Sequence, residues 1–94
     1  MRAIRYLISY DISNDKHRTK VAKILSESGE RIQYSVFLCD MPKKEIYPLL
    51  LRLEKQIDET VDSIFVLKID KDQKPLCMGT PLNQEFQDKR KWIY

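Results

Sequence analysis

Glycine is nearly missing from this chain, with two in 94 residues. Gly29 and Gly79 cannot build a glycine-rich loop that cradles phosphate, so a nucleotide cofactor is not expected. Cysteine is equally scarce. Cys39 and Cys77 stand far apart, in no zinc-binding spacing and too few for a secreted disulfide scaffold. Both are expected to be reduced thiols in a cytoplasmic protein. The single histidine, His17, has no nucleophile signature beside it and reads as a partly packed side chain. The apolar run Tyr47 to Leu51 contains Pro48 and is too short to cross a bilayer. The N-terminus is broken by Arg2 and Arg5 and lacks the apolar stretch of a secretory signal, so no membrane partner is expected. The aromatic motif of an RNA-recognition domain is absent as well.

What is present describes a soluble globular chain, 43% hydrophobic and 33% charged. One domain is expected over residues 1–94, with its core in about 1–79 and a tail over 80–94. The formal net charge is +3, and its location is informative. Residues 1–39 carry seven basic side chains (Arg2, Arg5, Lys16, Arg18, Lys20, Lys23, Arg31) against four acidic ones (Asp11, Asp15, Glu27, Glu30). Residues 40–94 hold ten of each. A basic excess confined to the first part of the chain favours a polyanionic partner.

Alternation predicts a strand over Ala3–Ile12, with Ile4, Tyr6, Ile8 and Tyr10 on one face and Arg5, Leu7, Ser9 and Asp11 on the other. Ser13, Asn14 and Asp15 supply N-cap chemistry for a helix from about Asp15 to Ser28, whose apolar stripe is Val21, Ala22, Ile24 and Leu25. Gly29 is expected to close it in the left-handed conformation. A second strand is expected over Arg31–Cys39, and a second helix opens at Pro42 with Ile46, Leu49, Leu50, Leu53 and Ile57 at helical spacing. Pro48 predicts a kink or a late start. A third strand, Ser63–Ile69, is apolar on both parities and should be buried on both faces. Leu76–Gly79 is short enough to be a fourth. Counting that segment, the fold is an α+β, ferredoxin-like βαββαβ antiparallel sheet with both helices on one face.

Such a sheet leaves one face uncovered. Leu7, Phe37 and an apolar row of the third strand are expected there, with Arg31, Gln33 and Ser35 beside Phe37. An open apolar face on a small domain predicts a homodimer. Trp92, Ile93 and Tyr94 could add a short C-terminal strand to the partner's sheet edge.

Asp11 ends the first strand on that open face, while Asn14 and Asp15 already serve the helix cap. Near a two-fold axis it would meet its own copy. Two carboxylates about 5 Å apart repel by roughly 3 kcal/mol at an effective dielectric near 20. Such a pair takes up a proton or a cation. Magnesium, which binds one or two carboxylates together with phosphate oxygens and waters, suits it, and manganese is the alternative ion. Arg18 lies in the first helical turn, where a positive charge opposes the helix dipole. Pairing with Asp15 and contact with phosphate both remain open for it. Lys16, Lys20 and Lys23 cluster opposite the apolar stripe, as a solvated face does.

The strings YDISNDKHR (Tyr10–Arg18) and GERIQYSVF (Gly29–Phe37), separated by the helix with Val21, Ile24 and Leu25, resemble the small CRISPR-associated protein family two. Its members partner the CRISPR integrase in spacer acquisition. The resemblance covers Met1 to about Ile69. It implies a ferredoxin-like homodimer with its sheets face to face and magnesium held by Asp11 at the interface. Tyr10, Arg18, Arg31, Ser35 and Phe37 match motif positions associated with activity or with the dimer face. It also implies a metal-dependent endonuclease acting on single-stranded RNA or double-stranded DNA. The alternative role it implies is a non-catalytic DNA-binding scaffold for the integrase complex. A fainter likeness, of Gly29, Ile32, Gln33, Val36 and Phe37 to an acylphosphatase loop, lacks that loop's second glycine (Tyr34 stands there) and a following arginine.

Overall fold

A computed structural model of the chain describes residues 3–73, 76, 78 and 79. The elements run β1 (Ala3–Asp11), α1 (Asp15–Ser28), β2 (Gly29–Gln33), β3 (Val36–Pro42), α2 (Lys43–Glu54) and β4 (Ser63–Ile69). They form one antiparallel sheet of order β2-β3-β1-β4. This is the ferredoxin-like α+β arrangement, but its four strands are not those expected from the linear pattern. The segment taken as one strand over Arg31–Cys39 is a hairpin, with a turn at Tyr34 and Ser35 and a register shift between Arg31 and Gln33. No strand forms at Leu76, Met78 or Gly79, and Cys77 lies outside the described residues. The tail that was expected to add Trp92–Tyr94 to a partner also lies outside them.

The hairpin escapes sequence reading because its turn has no glycine, proline, asparagine or aspartate, and Ser35 alone is a weak signal inside an alternating stretch. Tertiary hydrogen bonds fix it instead. The Tyr34 carbonyl accepts from the Tyr10 hydroxyl at 3.0 Å and from Arg31 Nε at 3.1 Å.

Packing follows from register. Ile8 stands opposite Phe37, Tyr6 opposite Cys39 and Ile4 opposite Met41, so these residues share the face beneath the helices. There they meet Val21, Ile24 and Leu25 of α1 and Ile46, Leu49 and Leu53 of α2. Phe37 is fully buried in this core, which corrects its expected place on the open face. Leu38 occupies that place, opposite Leu7. Both parities of β3 begin apolar, so alternation over Val36–Cys39 could not choose between them. Asp40 and Met41 break the tie, because Asp40 stands on the Leu38 side, paired with Arg5.

The α1 helix is capped as read: the Asn14 side chain accepts from the His17 amide at 2.9 Å. Gly29, however, is extended (φ −163°, ψ −166°), not left-handed. Glycine is needed there because a Cβ would fall 2.2 Å from the Leu38 carbonyl oxygen and 2.5 Å from Cys39 Sγ. The crossing strand sets the constraint, not the helix end. Helix α2 begins at Lys43, so Pro48 does not delay it. Pro48 is exposed, so the Lys44 carbonyl it cannot satisfy remains within reach of water. Strand β4 is an edge strand, and only Ile64 and Val66 pack on the core. Phe65 and Leu67 keep 62% and 48% of their surface, which corrects the expectation of burial on both faces. Among the described residues, no helix is long and apolar enough to cross a membrane.

Candidate functional site

Asp11 is the last residue of β1, opposite Ser63 of β4, and it is exposed. Its parity is that of Leu7 and Ser9, whose cross-strand partners Leu67 and Phe65 line the same open face. No hydrogen bond or ion pair to its carboxylate forms among the described residues. A carboxylate at the rim of an apolar surface, with no partner among the described residues, can meet a cation or a second chain.

Tyr10, one residue earlier, points to the other side. Its ring is buried in the core and lies 6.3 Å from the Phe37 ring, with 27° between the planes. Arg31 closes the group: its guanidinium sits 5.3 Å from the Phe37 centroid, and Nη2 donates to the Tyr10 hydroxyl at 3.3 Å. Tyr10, Arg31 and Phe37 are thus brought together, but as a clamp on the β2–β3 turn. Ser35 belongs to that turn, and its carbonyl accepts from the Tyr10 amide at 3.0 Å. Arg31 therefore does not lie on the open face, where it was expected beside Phe37. The register that pairs it with Phe37 puts it on the helix side.

Arg18 reaches back over the loop between β1 and α1. Nη1 donates to the carbonyls of Ile12 at 3.1 Å and Ser13 at 3.2 Å, and Nη2 pairs with Asp15. The guanidinium thereby fixes the two residues that follow Asp11, and the pairing with Asp15 left open by the sequence is made. Lys16, Lys20 and Lys23 are all exposed. The acylphosphatase-like stretch lies in the β2–β3 hairpin and supplies no loop of the kind that likeness requires.

Two features had no place in the sequence reading. Asp62 is buried just before β4, with its side chain 2% exposed, and its carboxylate accepts from the Asp58 amide at 2.9 Å. His17 Nδ1, itself buried, lies 3.5 Å from Asp62 Oδ2 without forming a hydrogen bond. This pair ties the first turn of α1 to the loop before β4; His17 is the packed side chain it was read as. Asp62 offered no signal, since it sits among polar loop residues. The second feature is Tyr34, hidden in the sequence as one member of an apparent strand. Cys39, meanwhile, is an inert thiol, pushed up to about 11 by burial first and by Asp40 second.

Comparison with known proteins gives this geometry a family. The family model described as CRISPR associated protein Cas2 matches residues 4–75. A protein of Chloroflexus aurantiacus named CRISPR-associated endoribonuclease Cas2 is 44% identical over 64 residues, 68% of this chain and 69% of its own length. A Synechocystis protein of the same name is 42% identical over 59 residues, 63% of this chain, and the match spans just 64% of that relative. Among solved structures, Streptococcus pyogenes Cas2 superposes with a TM-score of 0.68 and 33% identity, covering 72% of this chain and 88% of that one. A chain of a partial Cas6-RT-Cas1–Cas2 complex superposes with a TM-score of 0.56 and 28% identity, covering 73% of this chain and 81% of that one. With a family model matching most of its length, this chain belongs to the CRISPR-associated Cas2 family.

Proposed function

We propose that two copies of this chain pair through the open sheet face and act as a metal-dependent endonuclease on phosphodiester bonds, in the spacer-acquisition step of CRISPR defence. The observation that carries this reading is Asp11: an exposed strand-end carboxylate without a partner among the described residues, on the same face as exposed Phe65 and Leu67. Burying that face against a second copy removes apolar surface from water and brings two Asp11 side chains toward one axis. Among the described residues of one chain, no three histidine, cysteine or acidic side chains gather to hold a metal ion. One Asp11 from each copy, completed by phosphate oxygens and water, is a donor set that fits magnesium or manganese. Bound there, the ion supplies charge stabilisation at the phosphate oxygens. The chain's own part is to hold Asp11 still, through its β4 pairing on one side and the Arg18-braced loop on the other. Single-stranded RNA is the substrate suggested by the endoribonuclease names of the relatives, and double-stranded DNA is the other.

Asp11→Ala is expected to reduce magnesium-dependent cleavage of RNA or duplex DNA on the order of 100-fold, since several kcal/mol of charge stabilisation depend on the ion it holds. Cleavage at the parent's rate would reject the reading.

A second reading is favoured by a specific observation. Tyr10 and Arg31 face away from Asp11, and Arg18 is committed to loop carbonyls and Asp15, so Asp11 has no second acid–base group from that set beside it. That suits a DNA-binding scaffold for an integrase subunit, and one structural neighbour comes from a Cas1–Cas2 complex. Spacer insertion that survives Asp11→Ala supports the scaffold.

A further inference from the structure

Several exposed apolar side chains of this protein lie together on one surface. Phe65 and Leu67 line the open sheet face, and Tyr47 and Leu51 sit one turn apart on the outer side of α2. Tyr34 differs. It keeps 78% of its surface, yet it sits in a two-residue turn whose two carbonyls are both hydrogen-bonded. Its carbonyl accepts two hydrogen bonds, from Tyr10 and from Arg31, and those donors are themselves locked onto the Phe37 ring. The next carbonyl, that of Ser35, accepts from the Tyr10 amide. A solvated aromatic ring gains little from folding, and a tight turn ordinarily takes a small polar residue. Here a rigid pedestal presents a flat π-face to water.

The position of that face is telling. The Ser35–Tyr10 hydrogen bond places the turn against the residue that immediately precedes Asp11. Residues 1–39, which include this turn, carry the whole basic excess. An exposed aromatic ring on a turn bonded to the residue before Asp11, in the part of the chain that carries the basic excess, fits one class of ligand best if Asp11 acts as proposed above. Unpaired bases stack on exposed aromatic rings regardless of sequence, whereas bases inside a duplex are already stacked on their neighbours.

We propose that Tyr34 is a stacking platform for an unpaired base of a single-stranded nucleic acid, positioning the strand beside Asp11. The inference deepens the endonuclease reading and names single strands as the class its site prefers. Tyr34 is a positioning residue: it touches a base, not the reacting phosphate.

The test measures binding without cleavage, in EDTA, by anisotropy of a labelled single-stranded RNA oligonucleotide and of a labelled duplex DNA. Tyr34→Ala is expected to weaken single-strand binding on the order of ten-fold and leave duplex binding unchanged. Tyr34→Phe, which keeps the ring, should bind as the parent does. The slope of affinity against salt should be the same for all three, because no phosphate contact is lost. Single-strand binding by Tyr34→Ala equal to the parent's overturns the proposal. So does an equal loss on single strand and duplex, a loss in Tyr34→Phe as large as in Tyr34→Ala, or a change in oligomeric state in Tyr34→Ala. A parent that binds duplex but not single strands overturns the platform and leaves cleavage of duplex standing. An Asp11→Ala variant that cleaves normally sinks the endonuclease reading and leaves the platform in place.

Discussion

On the helix side of the sheet, Ile8 and Phe37 are fully buried, while on the opposite side Phe65 leaves more than half of its surface in water. The two faces belong to the same strands, and their residues alternate along the same backbone. The covered face is closed by α1 and α2 and accounts for the fold of a single chain. The open face holds Leu7, Phe65 and Leu67, with Leu38 already buried among them, around a rim that includes Asp11, and neither helix covers it. The contrast separates two kinds of apolar residue that composition cannot tell apart. One kind stabilises a monomer, and the other waits for a surface that the monomer does not have.

Breaking the covered face should have the largest effect. Phe37→Ala removes a fully buried ring and is expected to lower the stability of the fold by about 3–5 kcal/mol in urea or thermal denaturation. It should also loosen the β2–β3 turn, because Arg31 loses the ring beneath it. A loss below about 1 kcal/mol, within the range of ordinary surface substitutions, would mean that Phe37 is not the keystone its burial suggests.

Breaking the open face should separate copies without unfolding them. Phe65→Glu puts a charge on the exposed edge strand and should convert a dimer to a monomer in light-scattering or sedimentation measurements. The stability of the isolated chain should move by no more than about 0.5 kcal/mol. A variant that remains dimeric would show that the copies meet elsewhere.

The smallest effect belongs to the ion pair on the open face. Arg5 Nε and Nη2 grip both oxygens of Asp40, at 2.8 and 2.9 Å. That hydrogen-bonded grip holds the Asp40 carboxyl below its ordinary value of 3.8 despite partial burial. A carboxylate whose folded-state pKa is depressed adds stability that is fully present above its unfolded pKa and is lost as pH falls through the folded one. The contribution should therefore be intact above about pH 4 and fade on further acidification. Because Asp40 is more than a third exposed, solvent screening limits it to under about 1 kcal/mol, and Asp40→Asn should cost no more than that at pH 7. A cost of several kcal/mol would place the pair in a buried interface.

Much of the covered face was legible in the chain. The first strand, the α1 helix with its Asn14 cap, and the buried stripes of both helices follow from alternation, helical spacing and cap chemistry. So does the place of Asp11, at a strand end on the parity away from the helices. The core face of strand β3 was not legible, because Val36, Phe37 and Leu38 are all apolar and either parity looks like a core. The hairpin was hidden for a related reason: Tyr34 and Ser35 turn the chain with no glycine, proline, asparagine or aspartate, and a lone serine is a weak turn signal. For the candidate site, sequence assembled the right neighbourhood but not its grouping. Tyr10, Arg31 and Phe37 are one cluster, and Asp11 stands on the other side of the sheet.

The sequence by itself determined which segments become strands and helices wherever a periodic pattern met an unambiguous boundary, because those choices rest on local geometry. It also set the basic excess and the isolated strand-end carboxylate. Only the tertiary structure decided which face Phe37 fills, why residue 29 is glycine, and where Tyr34 points. Each of these depends on the register of strands distant in sequence, and register is settled by whole faces packing together rather than by any one residue's preference.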